Sequence, residues 1–318
     1  MSGVLLALSF PRFGLPAVAW VALAPLMVSV QRGTLRDSFL KGLLTGVVYF
    51  TGTLYWISNV MAMYGDMSVV VAVLINALLI AYLALFPALF ALVLRRFSMV
   101  LGPRSLALAP FAWVATELGR MYIMTGFPWV LLGYSQVTFV PVAQFASLFG
   151  VFGLSGLIAS VSAALAYTTV RGRLDTATTG RAASVGPYVP LAATIVLVVI
   201  VGAWGAIRVS RGDLTRDGDA VTVGLVQGNV DQADKWNPTR ASSIFRQYLD
   251  MTRNAIGRGA QMVLWPESST PFFLEEDRAG AEQIRAIARQ ARVPILLGSD
   301  QIESNRARRR STTTPRSS

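Results

Sequence analysis

Between Asp66 and Arg95 the chain carries no charged side chain, and Ser68–Leu94 is apolar almost throughout. That run exceeds the ~20 apolar residues a helix needs to cross a hydrocarbon core. Similar runs occupy Phe39–Met61, Leu106–Ile123, Pro141–Val170 and Tyr188–Ile207. Ala17–Val30 is shorter and Gly3–Phe10 shorter still, a tight pair broken at Pro11-Arg12-Phe13-Gly14. Seven segments predict a polytopic α-helical membrane bundle over residues 1–209. No basic residue precedes the first apolar run, which argues against a cleavable signal peptide.

Composition agrees. Of 318 residues 53% are hydrophobic and 14% charged, against about 25% charged in soluble proteins. An ordinary soluble domain and a disordered chain are both excluded. There is no Cys and no His. Disulfides, thiolate metal sites, thiol nucleophiles, His-ligated zinc and imidazole catalysis therefore have no residues to use. Carboxylates, Lys, Ser/Thr, Tyr and backbone groups remain.

The net charge of +11 is unevenly spread, +7 over residues 1–205, −1 over 206–303 and +5 over 304–318. The excess sits between apolar runs and in a short tail, which suits a membrane rather than a nucleic acid. Arg32, Arg36 and Lys41, then Arg95, Arg96 and Arg104, then Arg171, Arg173 and Arg181 fall in alternate loops. The loops around Tyr64-Gly65-Asp66 and Thr125–Thr138 hold no Lys or Arg. Basic loops stay cytoplasmic, so these two loops and everything after the seventh segment are expected outside.

From about Gly212 the pattern changes. Strands are expected at Ala220–Val226, Gln261–Trp265 and Pro294–Leu297. Helices are expected at Thr239–Arg258, with Ile244, Tyr248, Met251 and Ile256 towards one face, and at Ala279–Arg292. This β-α-β-α-β order implies parallel neighbours in a layered α/β domain over residues 210–303. It holds few elements for a closed core, because parallel sheets need cover on both faces. Residues 304–318 contain no apolar side chain larger than Ala. They read as a solvated basic extension or, with more support, as out-of-frame translation.

Three constellations could carry chemistry. In Leu264-Trp265-Pro266-Glu267-Ser268 a strand ends at a proline and a carboxylate follows. Carboxylates at such strand ends lie where α/β folds build sites, and partial desolvation would suit Glu267 to a general base. The competing role is to cap the following turn. The second is Val226-Gln-Gly-Asn-Val230 with Lys235-Trp236-Asn237-Pro238. There Trp236 either contacts lipid substrate or anchors the interface. The third is Glu117 and Arg120, one helical turn apart in the fifth segment, with Trp129, Tyr134 and Gln136 in the uncharged outer loop. Charges within a span face protein or water, and these two either pair with each other or line a pathway.

Thr125-Gly-Phe-Pro-Trp129 with Gly133-Tyr-Ser-Gln136, Val226-Gln-Gly-Asn229 with Lys235-Trp236, and Trp265-Pro-Glu-Ser268 with Pro271 together resemble the apolipoprotein N-acyltransferases. These are the membrane-embedded members of the nitrilase superfamily, and the resemblance runs from near the start to about Glu303. It implies a partial nitrilase-like αββα sandwich on the outer side of the cell inner membrane. It implies transfer of a phospholipid acyl chain to the α-amino group of a lipoprotein's diacylglyceryl-cysteine. The route is a thioester on a Cys, with a Glu as general base and a Lys stabilising the tetrahedral intermediate. The Glu maps to Glu267, and Trp236, Trp129, Tyr134 and Gln136 to substrate lining. Lys235 precedes the Glu motif and is not the family's Lys. That Lys, the Cys and a final apolar helix lie beyond where the chain leaves the pattern, so it is expected to be truncated, inactive alone and prone to aggregation. The resemblance calls for no metal or diffusible cofactor and no nucleic acid. The rival readings are a transporter-like polytopic protein and a non-catalytic membrane scaffold derived from such an enzyme.

Overall fold

The computed structural model describes residues 1–179, 186–212, 215–216, 218–231, 238–270, 272–274 and 276–299. Two compact units divide at Arg216, Met1–Arg216 and Asp217–Ser318. Lys235, Trp236, Pro271 and the 304–318 tail lie outside the described residues.

The first unit is helical: α1 Ser2–Leu8, α2 Pro16–Ala22, α3 Ala24–Ser29, α4 Leu35–Leu54, α5 Trp56–Tyr64, α6 Val69–Leu101, α7 Ala109–Tyr122, α8 Val140–Ala143, α9 Ala146–Thr179 and α10 Val189–Arg211. Among the described residues, three helical stretches are long and apolar enough to cross a membrane: Val69–Thr125, Ala146–Arg173 and Gly186–Arg211. The expected segments differ in how they form helices. Proline opens both α2 and α3, so Ala17–Val30 breaks at Leu23 into two short helices. Arg36, Asp37 and Lys41 occupy the first turns of α4, which gives way to α5 at Tyr55. The fourth and fifth segments share one stretch. Gly102 (φ 57°, ψ −142°) ends α6, and α7 returns along it. The return is antiparallel: Tyr82 donates to the Ile123 carbonyl at 3.1 Å, and Phe90 meets Trp113 edge to face at 5.2 Å.

Close helix approach holds the bundle. A Cβ on Gly42 would lie 2.6 Å from Ala88 Cα, and one on Gly46 2.6 Å from Ala84 Cα. Glycine at both positions lets the α4 and α6 backbones touch, the small-residue packing that works where lipid removes the hydrophobic drive. Tyr49, Phe50, Leu83, Phe90, Leu94 and Trp113 fill the core. By contrast α10 buries only Val201 and Gly205 and presents Val196, Val199 and Ile200 outward. A helix apolar on its outer face suits lipid as its solvent.

The second unit is a parallel three-stranded sheet, β1 Val223–Leu225, β2 Met262–Leu264 and β3 Ile295–Leu296, in the order β1-β2-β3. The crossovers are α11 Pro238–Gly257 and α12 Arg278–Ala291. Asp277 caps α12 by accepting from the Gly280 N–H at 2.9 Å. The register aligns Gly224, Val263 and Ile295 in one row and Leu225, Leu264 and Leu296 in the next. Directly paired residues share a face. The first row faces α11, since a Cβ on Gly224 would come within 2.8 Å of Ala255 Cβ. The second row is open, with Leu225 77% and Leu296 60% exposed. Of the expected helix face, Ile244 and Tyr248 are buried while Met251 and Ile256 are half-buried; Phe245 and Leu249 complete it. A second sheet, as an αββα sandwich requires, is not seen among the described residues.

Candidate functional site

All three strands run parallel, so their carboxyl ends meet at one edge. That edge carries Gln227-Gly228-Asn229 after β1, Trp265-Pro266-Glu267-Ser268 after β2 and Leu297-Gly298-Ser299 after β3. Pairing continues past the strands. The Val226 N–H donates to the Leu264 carbonyl at 2.9 Å, and the Trp265 N–H to the Leu296 carbonyl at 2.9 Å. The Ser269 N–H donates to the Gly298 carbonyl at 3.1 Å. A Cβ on Gly298 would sit 2.8 Å from Glu267 Cα and 3.0 Å from the Ser268 nitrogen. Only glycine lets β3 press this closely on the backbone that carries the carboxylate. Asn229 (φ 47°) and Ser268 (φ 48°) both turn in the left-handed region. Such conformations cost of order 1 kcal/mol or more and gather at functional sites.

Beneath Glu267 the floor is rigid. Trp265 is buried and donates its indole N–H to Thr252 Oγ1 at 2.8 Å, and its ring lies 5.1 Å from that of Tyr248. A cleft of about 280 Å³ opens beside it, lined among others by Gln227, Asn229, Tyr248, Glu267 and Ser268. Glu267 itself is exposed at the cleft. The partial desolvation expected from its aromatic and proline neighbours is therefore not present, because Trp265 turns into the core while Glu267 turns out. A carboxylate so placed can accept a proton from a group in the cleft.

The other candidates belong to the first unit. Glu117 and Arg120 are 3% and 2% exposed. They do not pair with each other; both grip the loop after α7. Glu117 Oε1 accepts from the Trp113 indole at 3.1 Å and from the Leu132 N–H at 2.7 Å. Arg120 donates to the carbonyls of Trp129 (2.9 Å) and Val130 (3.2 Å) and lies over the Phe50 ring at 5.2 Å. The Tyr49 hydroxyl donates to the same Val130 carbonyl at 2.6 Å. The loop is thus held by its backbone, which frees its side chains. Trp129 is half exposed and stacks on Trp56 at 5.2 Å, with Phe127 at 5.5 Å. Tyr134 is also exposed. Gln136 differs from both. It is 1% exposed, accepts from the Trp20 indole at 3.2 Å and donates to the Pro16 carbonyl and Ser135 Oγ, each at 2.9 Å. It braces the loop against α2 rather than facing a cavity. Sequence reasoning missed Trp56 and Trp20. Trp56 sat near the outward end of the third segment, which was the available signal.

The chain matches the apolipoprotein N-acyltransferase N-terminal domain over residues 2–164. It is 36% identical over 306 residues to the apolipoprotein N-acyltransferase of Geobacter metallireducens, covering 96% of this chain and 57% of that protein. It is 33% identical over 299 residues to that of Methylococcus capsulatus, covering 93% and 56%, and 30% identical over 304 residues to that of Coxiella burnetii, covering 94% and 58%. The chain thus spans just over half the length of these curated relatives. With one domain matched over its helical half and relatives aligned along nearly all of it, the chain belongs to the apolipoprotein N-acyltransferase family.

Proposed function

We propose that this chain is the membrane-embedded and base-bearing part of an enzyme that moves an acyl chain from a phospholipid to the α-amino group of a diacylglyceryl lipoprotein. The observation that carries this is the place of Glu267: an exposed carboxylate at the carboxyl edge of a parallel sheet, fixed by Gly298 and opening on a cleft. Glu267 would take the proton of a thiol as its sulfur attacks the ester carbonyl of the phospholipid. The proton then leaves with the lysophospholipid, and the amine displaces sulfur from the thioester. The phospholipid supplies the acyl group, so the reaction draws on no diffusible cofactor.

The chain contains no Cys. The nucleophile has to come from outside these 318 residues, and the chain alone is expected to be inactive. Trp129 and Tyr134, held outward by a clamped loop, suit contact with acyl chains or headgroups; Trp236 is assigned the same role by resemblance alone. The charge asymmetry of the loops supports insertion in the cell inner membrane with the Arg-bearing ends inward and the second unit outside.

The test is an acyl-transfer assay with phospholipid and a diacylated lipopeptide. It uses a form of the protein extended to the length of its relatives. Glu267→Gln should lower turnover by at least about 10²-fold, the lower range of general-base contributions, with membrane insertion unchanged. Full activity in that variant would sink the assignment, and so would turnover by the 318-residue chain.

A further inference from the structure

A second cavity lies in the first unit, away from the residues discussed so far. It is a groove of about 390 Å³ between the start of α7, the second half of α9 and the start of α10. Its size falls within the ~300–1,000 Å³ of ligand sites. The walls are almost wholly apolar, from Leu106, Pro110, Ala163, Ala164 and Pro190. Of the three hydroxyl side chains that line it, Ser160 and Thr194 are already bonded to their own helices, Ser160 to the Gly156 carbonyl at 2.8 Å and Thr194 to the Leu191 carbonyl at 3.0 Å; the third is Tyr167. Little along the wall therefore asks for a polar occupant. Small residues open it, since Ala163 and Ala164 stand where larger side chains would fill the space.

At the rim the chemistry reverses. Arg104 lines the groove and is exposed, and among the described residues its guanidinium has no hydrogen bond or ion pair. Tyr167 stands at the same rim, and Arg171 lies one helical turn beyond it on the same face of α9. The mouth is a fixed structure: Thr168 donates to the Pro187 carbonyl at 2.9 Å and so ties α9 to the turn that leads into α10. An apolar slot with an unpaired cation at its mouth, between helices of a membrane bundle, has the complementarity of one molecule. Basic pockets between spanning helices are recognised by lipid head groups.

We infer that this groove is a binding site for one anionic phospholipid, with an acyl chain between α7, α9 and α10 and the phosphate on Arg104. The site is on the Arg-bearing side of the bundle. Outer-loop residues such as Trp129 lie at the far ends of α7 and α9, so the bound lipid is structural rather than an acyl donor.

Native mass spectrometry of the 318-residue chain released from detergent tests this, with phosphatidylglycerol and phosphatidylcholine of equal chain length as probes. The chain should retain phosphatidylglycerol over phosphatidylcholine by about fivefold, the preference expected of one cation near a lipid phosphate. Arg104→Gln should abolish that preference while leaving the total lipid retained similar. Arg104→Lys should restore most of it. Ala164→Phe, which fills the slot, should reduce retention of both lipids. Equal retention of the two lipids by the unaltered chain would overturn the inference, as would a preference that survives Arg104→Gln. The same measurement on a relative-length form separates the other candidate occupant. If an apolar segment of that form seats in the groove, phosphatidylglycerol is excluded there and the inference falls.

Discussion

Arg120 shows how a charge inside an apolar helix is made tolerable. Its guanidinium is buried, yet it neutralises no carboxylate directly. It satisfies two backbone carbonyls in a loop that has no regular secondary structure to satisfy them. Glu117 does the same for one backbone N–H from the other side. Sequence alone located both residues and gave the reason they matter, the cost of charge in a span. It left their partners open, because an i,i+3 pair on a helix is within reach of itself and only the path of the loop decides otherwise. Gln136 was legible as a motif residue but not as a brace, since Trp20 and Pro16 lie more than a hundred residues away. Arg120→Ala should cost about 2–4 kcal/mol, because it strands two carbonyls and leaves Glu117 without its nearby countercharge. Unfolding in detergent would measure the loss, and limited proteolysis should cut between Phe127 and Leu131. A variant as stable and as protease-resistant as the parent would show that the clamp is ornamental.

Among the elements, the crossover helices of the second unit were read to within one residue, and its strands were placed correctly, though β1 is shorter than expected. Alternation of β-branched residues and the 3.6-residue period of α11 and α12 are local signals. The helical segments of the first unit were less legible. Apolar runs mark what lipid or core will accept, but prolines and charged first turns set where helices stop, as in α2, α3 and α4. Two tests belong here. Gly46→Leu should lower the melting temperature in detergent by prising α4 from α6, at an overpacking cost of roughly 1–3 kcal/mol; an unchanged midpoint would mean that the close approach at Ala84 is not needed. Leu225→Asp should be nearly silent in the 318-residue chain, where that side chain is exposed. In a relative-length form it should cost about 2 kcal/mol or more, if a second sheet covers the row of Leu225, Leu264 and Leu296. Equal effects in both forms would count against the sandwich.

For the molecule as a whole, two kinds of solvent explain two kinds of surface. The first unit hides glycine contacts and polar clamps inside and turns Val and Ile outward from α10. The second unit hides its apolar row under helices on one face and leaves the other face open. The family could be read from motifs because its sharpest signature, the turn at Glu267, is local in sequence. The exposure of Glu267 could not be read that way, because it depends on which way the chain leaves β2. Under the proposed function the two units serve one reaction, acyl transfer, with Glu267 as its base and the thiol outside these residues.

That claim is tested most directly by trapping the acyl-enzyme. A relative-length form incubated with a phospholipid carrying a labelled acyl chain should acquire a hydroxylamine-sensitive label. Its Glu267→Gln variant, inserted equally well, should acquire almost none, and the 318-residue chain none. Label on the Glu267→Gln variant at the parental level, or any thioester label on the 318-residue chain, would contradict the assignment of Glu267 as the base.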